Sequence, residues 1–182
     1  MTEEKTIHTE TITIPDGVSV SIQDENITVK GAKGEVSKQL SHPSLQLKVD
    51  GNNVIIQYSA SAKRKTRALV GTFAAHIRNM IKGVSNEFTY TMKTVFSHFP
   101  IKTKVEGNEF LIENFLGERS PRRALILEGV KVTIQGDIVK VVGVDKEKVG
   151  QTMANIERAS KVTRRDIRVF QDGVYLISKE SA

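Results

Sequence analysis

The chain has 182 residues, 38% of them apolar and 26% charged, which suits one large or two small globular domains rather than a disordered chain. It contains no cysteine, which excludes disulfides, thiolate metal sites and thiol nucleophiles, and no apolar run approaches the roughly 18 residues of a membrane span. A formal charge of +6 favours an anionic partner such as nucleic acid or a membrane surface, although on the total alone a mildly basic protein with no such partner is an equal account.

In chain order, Met1 to Glu10 is polar and acid-bearing, without the basic-then-apolar order of a signal peptide, and a reducing, cytosolic location fits. Ile14 to Gln23 alternates apolar and polar residues, predicting a half-buried strand that turns at Gln23-Asp-Glu-Asn into a second strand ending near Gly31. Val49-Asp-Gly-Asn-Asn-Val-Ile-Ile predicts a tight hairpin at Asp50-Gly51. A helix follows from about Ser61 to Lys82, with Gly83 as its stop and a core stripe of Leu69, Val70, Phe73, Ile77, Met80 and Ile81. Lys63, Arg64, Lys65 and Arg67 fall on its first turns, where cations oppose the helix dipole and suit an external anion better than the helix itself. A solvated charged face explains them equally well. A boundary near Gly83 to Asn86 divides the chain into an N-terminal repeat, 1–83, and a C-terminal repeat, 84–182. The charges on either side of Asn86 sum to +3 each, so net charge does not select a domain.

Beyond the boundary, Val105-Glu-Gly-Asn-Glu-Phe-Leu-Ile predicts another hairpin, and Glu118 to Arg123 predicts a loop held by Pro121. Arg119, Ser120, Arg122 and Arg123 in that loop are candidate phosphate contacts, because the arginine fork donates two hydrogen bonds at once. Strands resume at Ile126 to Gln135, and a second helix starts at an Asp145 N-cap with Val149, Met153 and Ile156 facing inward. The densest basic cluster comes next: Arg158, Lys161, Arg164, Arg165 and Arg168, opposed by Glu157 and Asp166. It leads through Asp172-Gly173 into an extended segment. Five cations so close repel one another unless a polyanion or counterions screen them, which makes this connector the leading RNA-binding candidate; a solvated basic loop is the competing account. Phe170 and Tyr175 suit base stacking, but aromatics in an alternating pattern are more often core.

An internal repeat organises these elements. Ile14 to Gly31 matches Ile126 to Gly143 at constant offset, with Ile14, Gly17, Val18, Val20, Ile22, Gln23, Val29 and Gly31 all identical in the second copy. The Val49 and Val105 hairpins also match, as do Val70-Gly71, Ala75 and Ile77 with Val149-Gly150, Ala154 and Ile156. The hairpins come in swapped order, and their match is short enough to arise by chance. Duplication therefore rests on the longer match and the helices, and implies an α+β chain of two tandem duplicated domains, each an antiparallel sheet packed on one helix. The recurring mid-helix Gly71 and Gly150 suggest helices lying too close to the sheet for a β-carbon.

Catalytic motifs are missing from the sequence. Gly31-Ala-Lys-Gly lacks the spacing of a phosphate-cradling loop, the four histidines are scattered without ligand spacing, and no nucleophile elbow occurs. Glu106, Glu109 and Glu113 lie in a hairpin and read as solvated charges rather than an acid–base pair. No cofactor and no enzymatic role are expected.

Several stretches, spread in order over nearly the full length, resemble large-subunit ribosomal protein six in its archaeal and eukaryotic branch. They are Val29-Lys-Gly-Ala-Lys-Gly, Gly71-Thr with Asn79-Met-Ile-Lys-Gly-Val, Val144-Asp-Lys-Glu-Lys-Val-Gly-Gln and, most specifically, Arg165-Asp-Ile-Arg-Val-Phe-Gln-Asp-Gly-Val-Tyr. Arg158 departs from the pattern, standing where many relatives carry glutamine. The resemblance implies a cytoplasmic, ribosome-bound structural protein whose C-terminal domain is the main anchor to large-subunit rRNA, near the sarcin–ricin loop and the stalk base. It implies neighbouring ribosomal proteins as partners, translational GTPases nearby, and no membrane. By matching position, RNA contact is expected at Lys161, Arg164, Arg165, Arg168, Asp172 and Gly173, and in the Arg119 to Arg123 loop, whereas Lys63, Arg64 and Arg67 rest on charge alone. A free RNA-binding adaptor or chaperone outside the ribosome is the alternative, and a small enzyme a distant third.

Overall fold

The computed structural model describes residues 7–23, 25–59 and 63–181, so Asp24 of the first predicted turn and Ser61 of the predicted helix start lie outside the described residues. The chain divides into two compact units, Met1–Asn86 and Glu87–Ala182.

Unit 1 runs β1 (Ile7–Thr13), β2 (Ser19–Gln23), β3 (Asn26–Gly31), β4 (Gly34–Gln39), β5 (Leu45–Asp50), β6 (Asn53–Ser59) and α1 (Arg64–Asn86). All pairings are antiparallel, in two three-stranded sheets of order β1-β6-β5 and β2-β3-β4. Ile27 and Val29 of β3 and Val54 and Ile56 of β6 are buried in alternation, because alternate side chains of a strand share a face. Helix α1 closes the core with Val70, Phe73, Ile77, Met80 and Ile81 of the expected stripe, joined by Val84, while Leu69 is only half-buried. It continues past Gly83, which is buried inside it, and ends where Glu87 adopts φ 45. The left-handed residue that stops the helix is thus a glutamate, not the glycine that composition favours.

Unit 2 runs β7 (Phe88–Val95), β8 (Lys102–Glu106), β9 (Glu109–Glu113), β10 (Arg122–Leu125), β11 (Val130–Gln135), β12 (Ile138–Gly143), α2 (Lys146–Ala159) and β13 (Gly173–Ser181), with a short 3₁₀ turn at Phe115–Gly117. Its sheets have orders β10-β9-β8 and β11-β12-β7-β13, again antiparallel. Phe88, Met92, Phe110, Ile112, Phe115 and Ile156 are essentially solvent-free. Burying side chains of this size stabilises by about 1.5–3 kcal/mol each, so this cluster is the main support of the unit. Asp145 caps α2, its Oδ1 accepting from the Glu147 N–H at 2.9 Å.

The duplication extends further than the sequence match, and the swapped hairpins are equivalent in space. Ile14 N–H donates to the Asn52 carbonyl at 2.8 Å, and its counterpart Ile126 N–H donates to the Asn108 carbonyl at 2.8 Å. Asn52 and Asn108 follow the matched hairpin glycines, Gly51 and Gly107, whose φ values are 54 and 58. Likewise Leu40 N–H donates to Glu25 O at 2.9 Å, and Thr94 N–H donates to Asp137 O at 2.8 Å. Strand β4 therefore corresponds to β7, the β5-β6 hairpin to β8-β9, and β1-β2-β3 to β10-β11-β12. The two blocks of three strands are transposed in the chain while the order of the matched strands in each sheet stays the same; among the described strands β13 alone has no counterpart.

One expectation is corrected. A β-carbon at Gly71 would meet nothing within 4 Å, and one at Gly150 would only reach Tyr90 at 4.0 Å, so neither glycine permits a close helix–sheet approach. The tight points are Gly31 and Gly143. A β-carbon on Gly31 would lie 2.8 Å from both the backbone oxygen and a methyl of Val84, and one on Gly143 would lie 2.8 Å from a Val149 methyl.

Candidate nucleic-acid interface

The basic connector of unit 2 is a loop with a closed neck. Helix α2 ends at Ala159, and the next residue, Ser160, donates its N–H to the Ile156 carbonyl at 3.1 Å. The Ser160 hydroxyl accepts from Val174 N–H at 3.0 Å and donates to the Glu157 carbonyl at 3.1 Å. Ser160 and Val174 are both buried, so residues 161–173 leave and return at one fixed point. Asp172, only 2% exposed, fastens the returning limb by accepting from Ser97 N–H at 2.9 Å. The adjoining Gly173 leaves room for the Tyr175 ring, whose atoms would lie 3.0–3.1 Å from a β-carbon there.

Arg122, at the start of β10, is a further fastening. Its Nη1 donates to the carbonyls of Ala159 at 3.0 Å and Lys161 at 2.9 Å, while Nε and Nη2 grip Glu118 at 2.8 and 2.6 Å. The guanidinium lies 4.0 Å over the Phe115 ring. Inside the loop, the Asp166 carboxylate accepts from Arg168 N–H at 2.9 Å, and the Asp166 carbonyl accepts from the amides of Val169 and Phe170. The Arg168 backbone amide, then its side chain, hold the Asp166 carboxyl below its ordinary pKa. Phe170 packs on the unit's core, and the Arg165 guanidinium lies 4.8 Å over its ring. The Tyr175 hydroxyl donates to the Gln171 carbonyl at 3.2 Å.

On this frame Lys161, Arg164, Arg165 and Arg168 are all exposed. Arg164 has φ 60, a left-handed geometry that a non-glycine residue adopts at a cost of about 1–2 kcal/mol and that turns the chain at the crest of the cluster. Arg168 pairs with Asp166 at 3.3 Å, but its side chain is 88% exposed, and such a pair contributes at most about 1 kcal/mol.

The segment Glu118 to Arg123, expected as a loop, is a loop only as far as Pro121 and enters β10 at Arg122; it joins this cluster. The Glu118 carboxyl is held below its ordinary pKa, first by the hydrogen bond from Arg122 and further by the charges of Arg122 and Arg165, and the Arg122 bonds to the Ala159 and Lys161 carbonyls tie the basic loop to this segment. Arg119 and Ser120 are exposed at its tip, and Arg123 is exposed with a 3.3 Å pair to Glu109. The structure thus unites both C-terminal clusters. Within them Lys161, Arg164, Arg165, Arg168, Arg119, Ser120 and Arg123 face solvent, whereas Arg122 and Asp172 brace the loop. Lys63, Arg64 and Arg67 belong to the other unit, exposed at the start of α1, whose first turn carries no acidic residue. Sequence reasoning missed Ser160 and Ser97, whose partners lie 14 and 75 residues away and leave no local pattern.

Beside the loop, Arg158, Lys161, Val162, Ile167, Phe170 and Tyr175 line a groove of about 580 Å³. Exposed guanidinium forks on a fastened backbone suit an array of phosphates, since the backbone is ordered in folding rather than on binding. The hairpin carboxylates Glu109 and Glu113 sit in surface ion pairs with Arg123 and Lys104. Among the described residues no helix is long and apolar enough to cross a membrane, and no cluster of metal-ligating side chains occurs.

Comparison with known proteins agrees with this geometry. The family model described as ribosomal protein L6 matches residues 14–87 and again 99–173, one match for each unit. The large ribosomal subunit protein uL6 of Methanobrevibacter smithii is 50% identical over 94% of this chain and 96% of its own length. The protein of the same name from Aeropyrum pernix is 49% identical over 97% of both chains.

Proposed function

The chain belongs to the ribosomal protein L6 family, and from that premise we propose that its C-terminal unit anchors it to large-subunit rRNA near the sarcin–ricin loop and the stalk base. The protein is a structural constituent of the large ribosomal subunit, ribosome-bound in the cytoplasm, and works by positioning rather than catalysis. Lys161, Arg164, Arg165, Arg168, Arg119 and Arg123 neutralise phosphates and release counterions, which supplies most of the affinity. The shape of the folded RNA supplies most of the specificity. Arg122, Asp172 and Gly173 act by holding the loop in form. Neighbouring ribosomal proteins of the stalk base complete the site, and the anchored region supports the docking of translational GTPases. Lys63, Arg64 and Arg67 add a weaker, separate phosphate contact from the N-terminal unit.

The observation that carries this reading is the closed neck at Ser160 and Val174, which fixes a loop crowded with exposed cations where folding alone requires none. The test is the salt dependence of binding to a large-subunit rRNA fragment. Replacing Arg164, Arg165 and Arg168 by alanine should lower the slope of log K against log salt by roughly two to three. An unchanged slope would mean that the loop is solvated and the anchor lies elsewhere.

A further inference from the structure

The loop between β7 and β8 exposes apolar rings that the core does not need. Phe96 is 39% and Phe99 40% exposed, next to Val95 at 38%. The loop is nevertheless held at three points. Ser97 N–H donates to the buried Asp172 carboxylate at 2.9 Å, and the Pro100 carbonyl accepts from Asn114 Nδ2 at 3.1 Å. The Phe99 ring lies against Gly117, 3.4 Å from where a β-carbon would stand, and meets His98 edge-on with centroids 4.7 Å apart. Asp172 closes the cationic loop of residues 161–173, and Gly117 directly precedes Glu118 and Arg119. The aromatic loop is therefore tied to both segments that carry the exposed arginines.

We propose that Phe96 and Phe99 form a stacking platform for an unpaired nucleobase of the same RNA whose phosphates the arginines hold. The inference rests on the rRNA reading above. A ring that is exposed yet already held, as Phe99 is against Gly117 and His98, stacks on a base with little ordering cost, and stacking accepts any base because every base has a π-face. The tethers to cation-bearing loops on both sides favour a polyanion that presents bases over a protein partner, whose apolar surface would have to approach through those charges.

The chain has no tryptophan, so Phe96→Trp creates a single indole reporter that keeps the platform aromatic. Titration with a large-subunit rRNA fragment should quench its fluorescence by at least about half, as base stacking does. The double variant Phe96→Leu with Phe99→Leu keeps apolar bulk and the fold. It should bind that fragment about tenfold more weakly with an unchanged salt slope, since one stacked base contributes roughly that factor. A full-strength double variant with an unquenched reporter overturns the platform while leaving the phosphate anchor intact. Quenching by ribosomal proteins but not by RNA assigns the rings to a protein neighbour and equally overturns it. If the wild-type chain itself fails to bind the fragment, the rRNA reading falls, and the platform with it.

Discussion

Arg122 offers the sharpest energetic test, because its guanidinium joins two loops that are far apart in sequence. Replacing it with alanine removes two bonds to the carbonyls of Ala159 and Lys161 and a bidentate grip on Glu118. A hydrogen bond from a charged donor contributes about 1.5–3 kcal/mol, and the lower figure applies here because water reaches part of the site. Glu118 is 42% exposed, so its pairing adds only about 0.5 kcal/mol. The expected loss is about 3.5 kcal/mol, or a fall in Tm of roughly 14 °C or more for a unit near one hundred residues. Arg122→Lys should recover less than half, since a compact ammonium cannot span both the carbonyls held by Nη1 and the carboxylate held by Nε and Nη2. Guanidinium unfolding of the full chain, read with hydrogen exchange at Val174, measures both. Because Arg122 acts on the loop rather than on phosphate, Arg122→Ala should also weaken rRNA binding without changing its salt slope. If both variants stay within about 0.5 kcal/mol of wild type, the clamp is incidental and the reasoning from its geometry fails.

Two glycines should respond in opposite directions. Gly71→Ala, on an open helix surface, should stabilise by about 0.8–1 kcal/mol, whereas Gly31→Ala, driven against the Val84 backbone, should destabilise by about 1–3 kcal/mol; thermal unfolding of both variants decides. The pH dependence follows from Glu118. Its pKa is lowered in the folded chain, so its contribution is complete above the unfolded value near 4.5 and is lost as pH falls through the folded one. As pH falls from about 5 through the lowered folded value, wild type should therefore lose more stability than Glu118→Gln, and parallel curves would contradict the pairing with Arg122.

The sequence carried those parts of the fold written in local periodicity. Offset-matched alternation located β2-β3 and β11-β12, the apolar stripe located α1, and Asp145 marked the start of α2. The end of α1 was misread because Gly83 lies inside the helix and Glu87 takes the left-handed position. Strand transposition kept the hairpin equivalence out of reach, since only the shared bonds from Ile14 to Asn52 and from Ile126 to Asn108 reveal it. At the candidate site the cations were legible as a charge run. The neck at Ser160 and the double duty of Arg122 were not, because such fastenings depend on residues that meet only after folding. The sequence marks Arg122 only as a phosphate fork, whereas the fold shows the same fork geometry holding two carbonyls and a carboxylate.

As a member of this family the chain is a fixed part of the large subunit. Sucrose-gradient sedimentation of cell extract through moderate salt, probed for this chain, tests it most directly. Co-migration with the large subunit, lost on replacing Arg164, Arg165 and Arg168 together, is the predicted result. A chain found only at the top of the gradient would contradict it and point to an RNA-binding protein that works outside the ribosome.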